Sequence, residues 1–220
     1  MSCHVILLLV GVRHLPVLVF DNGFYLNCFY FNSRSILNKL SDLSLLQREN
    51  FDIIVISETW LNDSVSDALL SLGSAFNVFR SDRIDGFMGG GVAILARKGI
   101  SFVESKSVAF TFLCELLFVD FMLDSCRFRL IAGYRRPATS VADSKKFFDQ
   151  VSAWSAVGHS SILVGDFNVP LTSIHPIENS TCFFDEFLAL TSFFLLVIEP
   201  TFSGHFLDLL LFNALIPTQL

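Results

Sequence analysis

The run FDIIVIS at positions 51–57, closed by Glu58, constrains the fold more than any other part of the sequence. It is almost continuously apolar and rich in β-branched residues, which is what a strand buried on both faces requires. Such a strand needs cover above and below, so the chain must supply further layers around it. From Leu26 onward short apolar runs alternate with helix-like stretches. The periodicity predicts strands at 26–31, 51–57, 77–80, 91–97, 116–122, 128–134, 161–164 and 206–212. It predicts helices at 35–50, 144–156 and 182–191, the first burying Ile36, Leu37, Leu40, Leu43, Leu45 and Leu46. The expected class is α/β, with at least two sheet layers in one domain.

With 220 residues the chain has room for one large core. Hydrophobic residues make up 52% of it, 25 of them Phe, and only 16% are charged, which excludes disorder. A formal net charge of −6 provides no global positive field for a polyanion. Any nucleic-acid contact must therefore come from local pairs: Arg80 with Arg83, Arg97 with Lys98, Arg127 with Arg129, Arg135 with Arg136, or Lys145 with Lys146. The default use of each pair is a solvated surface. Five cysteines, odd in number and never in CxxC, argue against a disulfide framework or a zinc site. The first 25 residues form an apolar extension of undefined role. Arg13 and His14 divide its first twenty into pieces too short to span a bilayer, and no basic residue precedes the apolar stretch as a secretory signal would need. Sequons at Asn62 and Asn179 would matter only in a secreted protein.

Polar residues recur just past the carboxyl ends of the predicted strands: Asn32, Glu58, Tyr134, and Asp166 with Asn168. A single such residue means little, because acids and amides are common in turns. Four equivalent placements point to a site on one rim of a sheet, rich in the oxygen donors that Mg²⁺ prefers. GGG at 89–91 carries no following GKS or GKT, so it reads as a turn before a strand rather than a nucleotide loop. Gly158-His159-Ser160 lacks the closing glycine of a hydrolase elbow and precedes a strand instead of following one.

The strings FNSRSILNKLSDL, DIIVISETWL, FRSDR, GGGVAIL, GYRRP, ILVGDFNVP, EPTF and LDLLLFN occur in this order over residues 26–213. Together they resemble the apurinic-type endonuclease domain of non-LTR retrotransposons, within the endonuclease/exonuclease/phosphatase superfamily. That resemblance implies a DNase I-like four-layer α/β/β/α sandwich. It implies a Mg²⁺-dependent phosphodiesterase, with Mn²⁺ as a substitute ion, that nicks duplex DNA. No membrane or small-molecule cofactor is implied; a reverse transcriptase is expected downstream, and work on chromosomal DNA would require nuclear access.

Position by position, the resemblance makes Glu58 and Asn32 the metal-holding pair and Tyr134 a contact to the scissile phosphate. It makes Asp166 the base that activates water, and Asn168 its orienting partner. Thr201 becomes a supporting hydroxyl, and Asp208 the carboxylate that orients a catalytic histidine. Each residue also has a structural reading: strand-end acid, turn amide, core tyrosine or helix cap. The family's closing Ser-Asp-His is not found. His205 lies three residues before Asp208 and would point to the other face of a strand, while His4, His14, His159 and His175 match nothing in the pattern. The expectation is an incomplete domain over 26–220 that lacks its last strand, with a catalytically inactive remnant as the alternative to an active nuclease.

Overall fold

The computed structural model describes residues 3–6, 17–20, 25–83, 89–110, 114–123, 125–137, 139–171, 182–196 and 206–213. Strands β1 (Cys3–Ile6), β2 (Val17–Phe20) and β3 (Tyr25–Leu26) form a small antiparallel sheet. A four-stranded sheet follows, built from β4 (Cys28–Asn32), β5 (Ile53–Ser57), β6 (Phe76–Ser81) and β7 (Val92–Arg97), in the order β4-β5-β7-β6. Helix α1 (Leu40–Leu46), preceded by a 3-10 turn at Ile36–Lys39, connects β4 to its parallel partner β5.

The second sheet has six strands: β8 (Ser101–Phe110), β9 (Cys114–Leu123), β10 (Cys126–Arg135), β11 (Ser160–Leu171), β12 (Phe194–Leu195) and β13 (Phe206–Asn213). Their order is β12-β13-β11-β10-β9-β8. Helix α2 (Val141–Ser155) links the parallel pair β10 and β11, and helix α3 (Cys182–Thr191) lies between β11 and β12 in the chain. Strand β13 is not bare on its outer side, because Phe194 and Leu195 of β12 pair with Phe212 and Leu211.

The alternation of side chains along these strands builds the layers. Ile53, Val55, Val92, Ile94 and Ala96 of the first sheet meet Leu117, Val119, Phe121, Leu130, Ala132, Ile162 and Val164 of the second in one buried cluster. The alternate positions Ile54, Ile56, Ala93 and Leu95 pack outward against Ile36 and Leu43 of the first helical layer. On the far side Leu116, Phe118, Ile131, Leu163 and Leu211 pack against Phe147, Phe148, Val151, Phe184 and Phe187 of α2 and α3. The architecture is therefore helix, sheet, sheet, helix, and Ile53 to Ile56 are at most 1% exposed, as the opening run demanded.

The helix expected over 35–50 is shorter and begins as a 3-10 turn. Its entry is pinned to the second connection of the sheet: the backbone N–H of Ser35 donates to Glu58 O at 2.9 Å and that of Ile36 to Thr59 O at 3.1 Å. Those donors are spent across the sheet edge, and Ser35 at φ +85° makes no side-chain cap. No helix among the described residues is long and apolar enough to cross a membrane.

Candidate functional site

Two parallel pairs, one in each sheet, aim their carboxyl ends at the same rim. Asn32 ends β4 and is paired with Ser57 at the end of β5, so Glu58 follows directly beside it. In the other sheet Tyr134 of β10 lies opposite Asp166 of β11, and the antiparallel β13 sets Asp208 opposite Asp166 on the other side. Tyr134, Asp166 and Asp208 continue the inward-facing alternation of Leu130–Ala132, Ile162–Val164 and Leu210–Phe212. They are thus the polar end of the apolar core between the sheets.

Close backbone approach permits this pairing. Gly133 and Gly165 are register partners one step before Tyr134 and Asp166, and a Cβ on Gly165 would overlap the Gly133 carbonyl. A Cβ on Gly133 would come within 2.7 Å of the Phe167 ring. The loops around the rim are strained as well: Arg34, Ser35, Glu58, Trp60 and Asn168 all have φ between +44° and +85°. Left-handed backbone at a non-glycine residue costs on the order of 1 to 3 kcal/mol and persists only where the surroundings enforce it. Hydrogen bonds from Ser33 N to Ser57 O, Thr59 N to Gly91 O and Trp60 N to Gly90 O supply that enforcement.

The side chains converge on a single amide. Asn32 Nδ2 donates to Glu58 Oε1 at 2.7 Å and to Asp166 Oδ2 at 2.8 Å, tying the two sheets together at the site. Its Oδ1 is held by Arg34 N at 3.1 Å, which fixes the direction of the amide. Asn168 donates its backbone N–H to Asp166 Oδ1 at 3.3 Å and its side-chain Nδ2 to Arg135 O at 2.9 Å. Arg135 in turn donates to Phe167 O, Asn168 O and Ser144 Oγ, clamping the end of β11 to α2.

Electrostatically the rim is crowded with negative charge. Asp166 is 7% exposed, and its carboxyl is pushed up to about 7, first by burial and then by the charges of Asp208 and Glu58. Tyr134 is likewise pushed far above the ordinary phenol range by burial, then by Glu58, Asp166 and Glu115. A group poised near 7 can exchange a proton at neutral pH, whereas an ordinary aspartate cannot. The arrangement offers a general base, oxygen donors and a phenol on one surface.

Among the described residues no three His, Cys, Asp or Glu side chains form a ready metal cage. The donor set that converges is instead one carboxylate, Glu58, beside the amide of Asn32 and the acid Asp166. Few protein ligands with room for water match a hard ion such as Mg²⁺. Two carboxylates sharing one neutral donor leave a surplus of charge that a cation would offset, so the residues fit such an ion.

Of the residues singled out in the sequence, Asn32, Glu58, Tyr134, Asp166, Asn168 and Asp208 are brought together. Thr201 and His205 lie outside the described residues. Three participants were missed: Tyr30, whose hydroxyl lies 2.9 Å from Ser57 Oγ and donates to Asp208 Oδ1 at 2.7 Å; Trp60, whose Nε1 donates to Glu58 Oε2 at 3.3 Å; and Glu115, buried at 1% exposure opposite Tyr134. Glu115 had a legible signal, since an acid inside the apolar run CELLFVDFML must find a partner. The triple glycine is a turn entering β7. All three glycines have positive φ, and a Cβ on Gly90 would lie 2.8 Å from the Glu115 carboxylate.

Several arginines of the basic pairs are committed to partners within the chain, while Lys98, Lys145 and Lys146 are exposed. Arg80 bridges Asp67 and Asp82, Arg97 donates to Phe51 O and Glu49 O, and Arg127 and Arg129 both serve Asp120.

Residues 26–214 match the profile of the endonuclease/exonuclease/phosphatase family. No functionally curated protein matches the sequence. Among solved structures the fold is similar to a mannosyl-6-phosphatase of Bacteroides thetaiotaomicron, with a TM-score of 0.62 and 14% identity over 86% of this chain and 85% of that one. It is similar to D. rerio TDP2 complexed with a single-strand DNA product, with a TM-score of 0.60 and 14% identity over 86% and 84%. It is also similar to the human Nocturnin catalytic domain with bound sulfate, with a TM-score of 0.58 and 14% identity over 80% and 74%.

Proposed function

This chain belongs to the endonuclease/exonuclease/phosphatase family, and from that membership we propose that it is a divalent-metal-dependent phosphodiesterase that cleaves a nucleic-acid backbone by attack of water. The observation that carries the reading is the Asn32 amide held between Glu58 and Asp166 at 2.7 and 2.8 Å, with Asp166 poised near 7. A neighbour of the same fold was captured with a DNA product, which supports a nucleic-acid substrate. The motif order supports the finer assignment, a retroelement endonuclease that nicks duplex DNA.

Glu58 would hold the ion, Mg²⁺ by preference, and Asn32, whose Nδ2 reaches both carboxylates while its Oδ1 accepts from Arg34 N, would position Glu58 and Asp166 around it. When bound, it supplies charge neutralisation on a nonbridging phosphate oxygen. Asp166 takes the proton from the attacking water, and Asn168 N–H holds the carboxylate in line for that transfer. The Tyr134 phenol, kept protonated by burial and then by its acidic neighbours, donates to the phosphate. Asp208, hydrogen-bonded by Tyr30, lies beside Asp166 and, after burial, does most to raise its carboxyl.

A second reading is a catalytically silent member of the family: the described imidazole of His159 lies 3.6 Å from Asp120, in the arginine cluster and not at the rim. A plasmid-nicking assay with and without Mg²⁺ separates the two. Nicking that vanishes in Glu58→Ala supports the enzyme, and a wild-type chain that binds DNA but never nicks it supports the silent member.

A further inference from the structure

Glu58 and Trp60 stand two positions apart in a turn that brings their side chains together. On an extended strand the two would share a face but lie about 6 to 7 Å apart. Here both residues are left-handed, at φ +50° and +56°. The chain folds back until the indole Nε1 of Trp60 donates to Glu58 Oε2 at 3.3 Å. Asn32 Nδ2 holds the other oxygen, Glu58 Oε1, at 2.7 Å. These are the only hydrogen bonds that the Glu58 carboxylate makes among the described residues. One donor on each oxygen fixes the plane of the carboxylate. A carboxylate offers about four lone-pair sites, so about two remain for a further partner.

The triple glycine anchors this turn. Thr59 N donates to Gly91 O at 3.2 Å and Trp60 N to Gly90 O at 3.0 Å, while Glu58 O accepts from Ser35 N at 2.9 Å and Ser33 Oγ at 2.8 Å. The anchoring glycines have no room for side chains. A Cβ on Gly91 would overlap Thr59 Oγ1, and one on Gly90 would lie 2.8 Å from Glu115 Oε1. The close approach of the two segments sets the backbone of Trp60 and therefore the point from which its ring reaches Glu58. Trp60 is half-buried. Any aromatic ring would serve packing there, whereas only the indole supplies the N–H.

We propose that Trp60 is a positioning residue for the metal site: its indole N–H holds Glu58 Oε2, opposite the Asn32 amide on Oε1, so that the carboxylate meets a divalent cation already oriented. The inference rests on the reading of Glu58 as the ligand of that cation. Outer partners that orient a ligating group are typically worth about 10- to 100-fold in metal affinity.

Mn²⁺ binding to the full chain, followed by loss of the free-ion electron paramagnetic resonance signal, tests this without turnover. Trp60→Phe keeps a ring and removes the donor, and it should weaken Mn²⁺ binding about tenfold or more. Trp60→His restores a ring N–H and should recover part of that loss, and Glu58→Gln should abolish binding. Far-UV circular dichroism of the metal-free variants should match the wild type. In cleavage assays the Mg²⁺ concentration for half-maximal rate should rise by the same factor in Trp60→Phe, and excess Mg²⁺ should restore the rate. The wild-type chain gives a readout that needs no variant. Its other tryptophan, Trp154, belongs to α2 on the far side of the second sheet, so Mn²⁺ binding should change the emission of Trp60.

Unchanged Mn²⁺ affinity in Trp60→Phe, a loss that Trp60→His does not reduce, or wild-type binding with unaltered emission overturns the positioning role and leaves Glu58 as the ligand. A rate loss in Trp60→Phe that excess Mg²⁺ does not restore would place the indole on the substrate and overturn it as well. No Mn²⁺ binding by the wild type, or binding that Glu58→Gln leaves intact, would refute the metal reading of the site itself.

Discussion

Two buried aspartates on the six-stranded sheet meet opposite fates. Asp120, in the middle of β9, accepts from Arg129 Nε at 2.6 Å, from Arg129 Nη2 at 2.8 Å and from Arg127 Nε at 3.1 Å. Arg129 also donates to Trp154 O and stacks 3.8 Å from the Phe118 ring centroid. Burial alone would raise the Asp120 carboxyl, but the hydrogen bonds from Arg129 and Arg127 outweigh it and hold it below the ordinary range. Five residues along β9, about 17 Å at the usual rise, separate this cluster from Glu115 and the rim. There Asp166 has no arginine on its carboxylate in any described hydrogen bond; its partners are an amide and a backbone N–H, and after burial the charges that shift it most are those of Asp208 and Glu58. The same sheet completes its charge balance at one place and leaves it open at the other. A finished ion cluster has nothing left to offer a ligand, whereas a rim with surplus negative charge is prepared for a cation.

The largest expected effect lies at the open end. Asp166→Asn should lower hydrolysis by about 10² to 10⁴, the usual weight of a general base, while raising the denaturation midpoint of the metal-free protein because like charges are relieved. A variant that keeps its rate within about tenfold would remove Asp166 from the chemistry. At the closed end, Asp120→Ala should cost about 3 to 5 kcal/mol of stability, since it leaves a buried guanidinium without its partner. Chemical denaturation reads this directly, and a loss below about 1 kcal/mol would mean that the cluster is not structural.

The two carboxyls also predict opposite pH trends. Asp166 is raised in the fold, so the native state holds the extra proton and metal-free stability should fall as pH rises from about 4 to about 7. Asp120 is lowered, so its contribution is present above the ordinary aspartate range and is lost as pH falls through its depressed value. Millimolar Mg²⁺ should flatten the first trend and leave the second alone. An identical response of both limbs to Mg²⁺ would contradict the contrast. The smallest effect is Tyr30→Phe, which removes one hydrogen bond to Asp208. A bond to a charged acceptor is worth about 1.5 to 3 kcal/mol, read as a drop in midpoint with a few-fold loss of rate.

Much of this was legible in the chain. The FDIIVIS strand, helix α3 at its full span, the rim acids and the amides all announce themselves by pattern, because burial imposes periodicity and strand ends collect polar residues. Strand β8 did not. Its residues SFVESKSVAF are mostly exposed at a sheet edge, so neither face carries an apolar stripe to read. Tyr30 looked like one more aromatic in an apolar strand, and only pairing with a residue 178 positions away turned its hydroxyl towards Asp208. Arg127 and Arg129 looked like surface charge, yet Arg129 is 6% exposed.

For the buried strands, runs or alternations of apolar residues determined which segments become strands, which faces they bury and which residues stand at their carboxyl ends. These are properties of a few consecutive side chains, and the sequence by itself settled them. The tertiary structure decided which acids would be neutralised. Coulomb energy and desolvation depend on distances between residues far apart in the chain, and those distances exist only once the sheets have met. Asp120 and Asp166 are the same residue type on the same sheet. Strand register brought Arg129 to the first and Asp208 to the second, and the meeting of the two sheets brought Glu58.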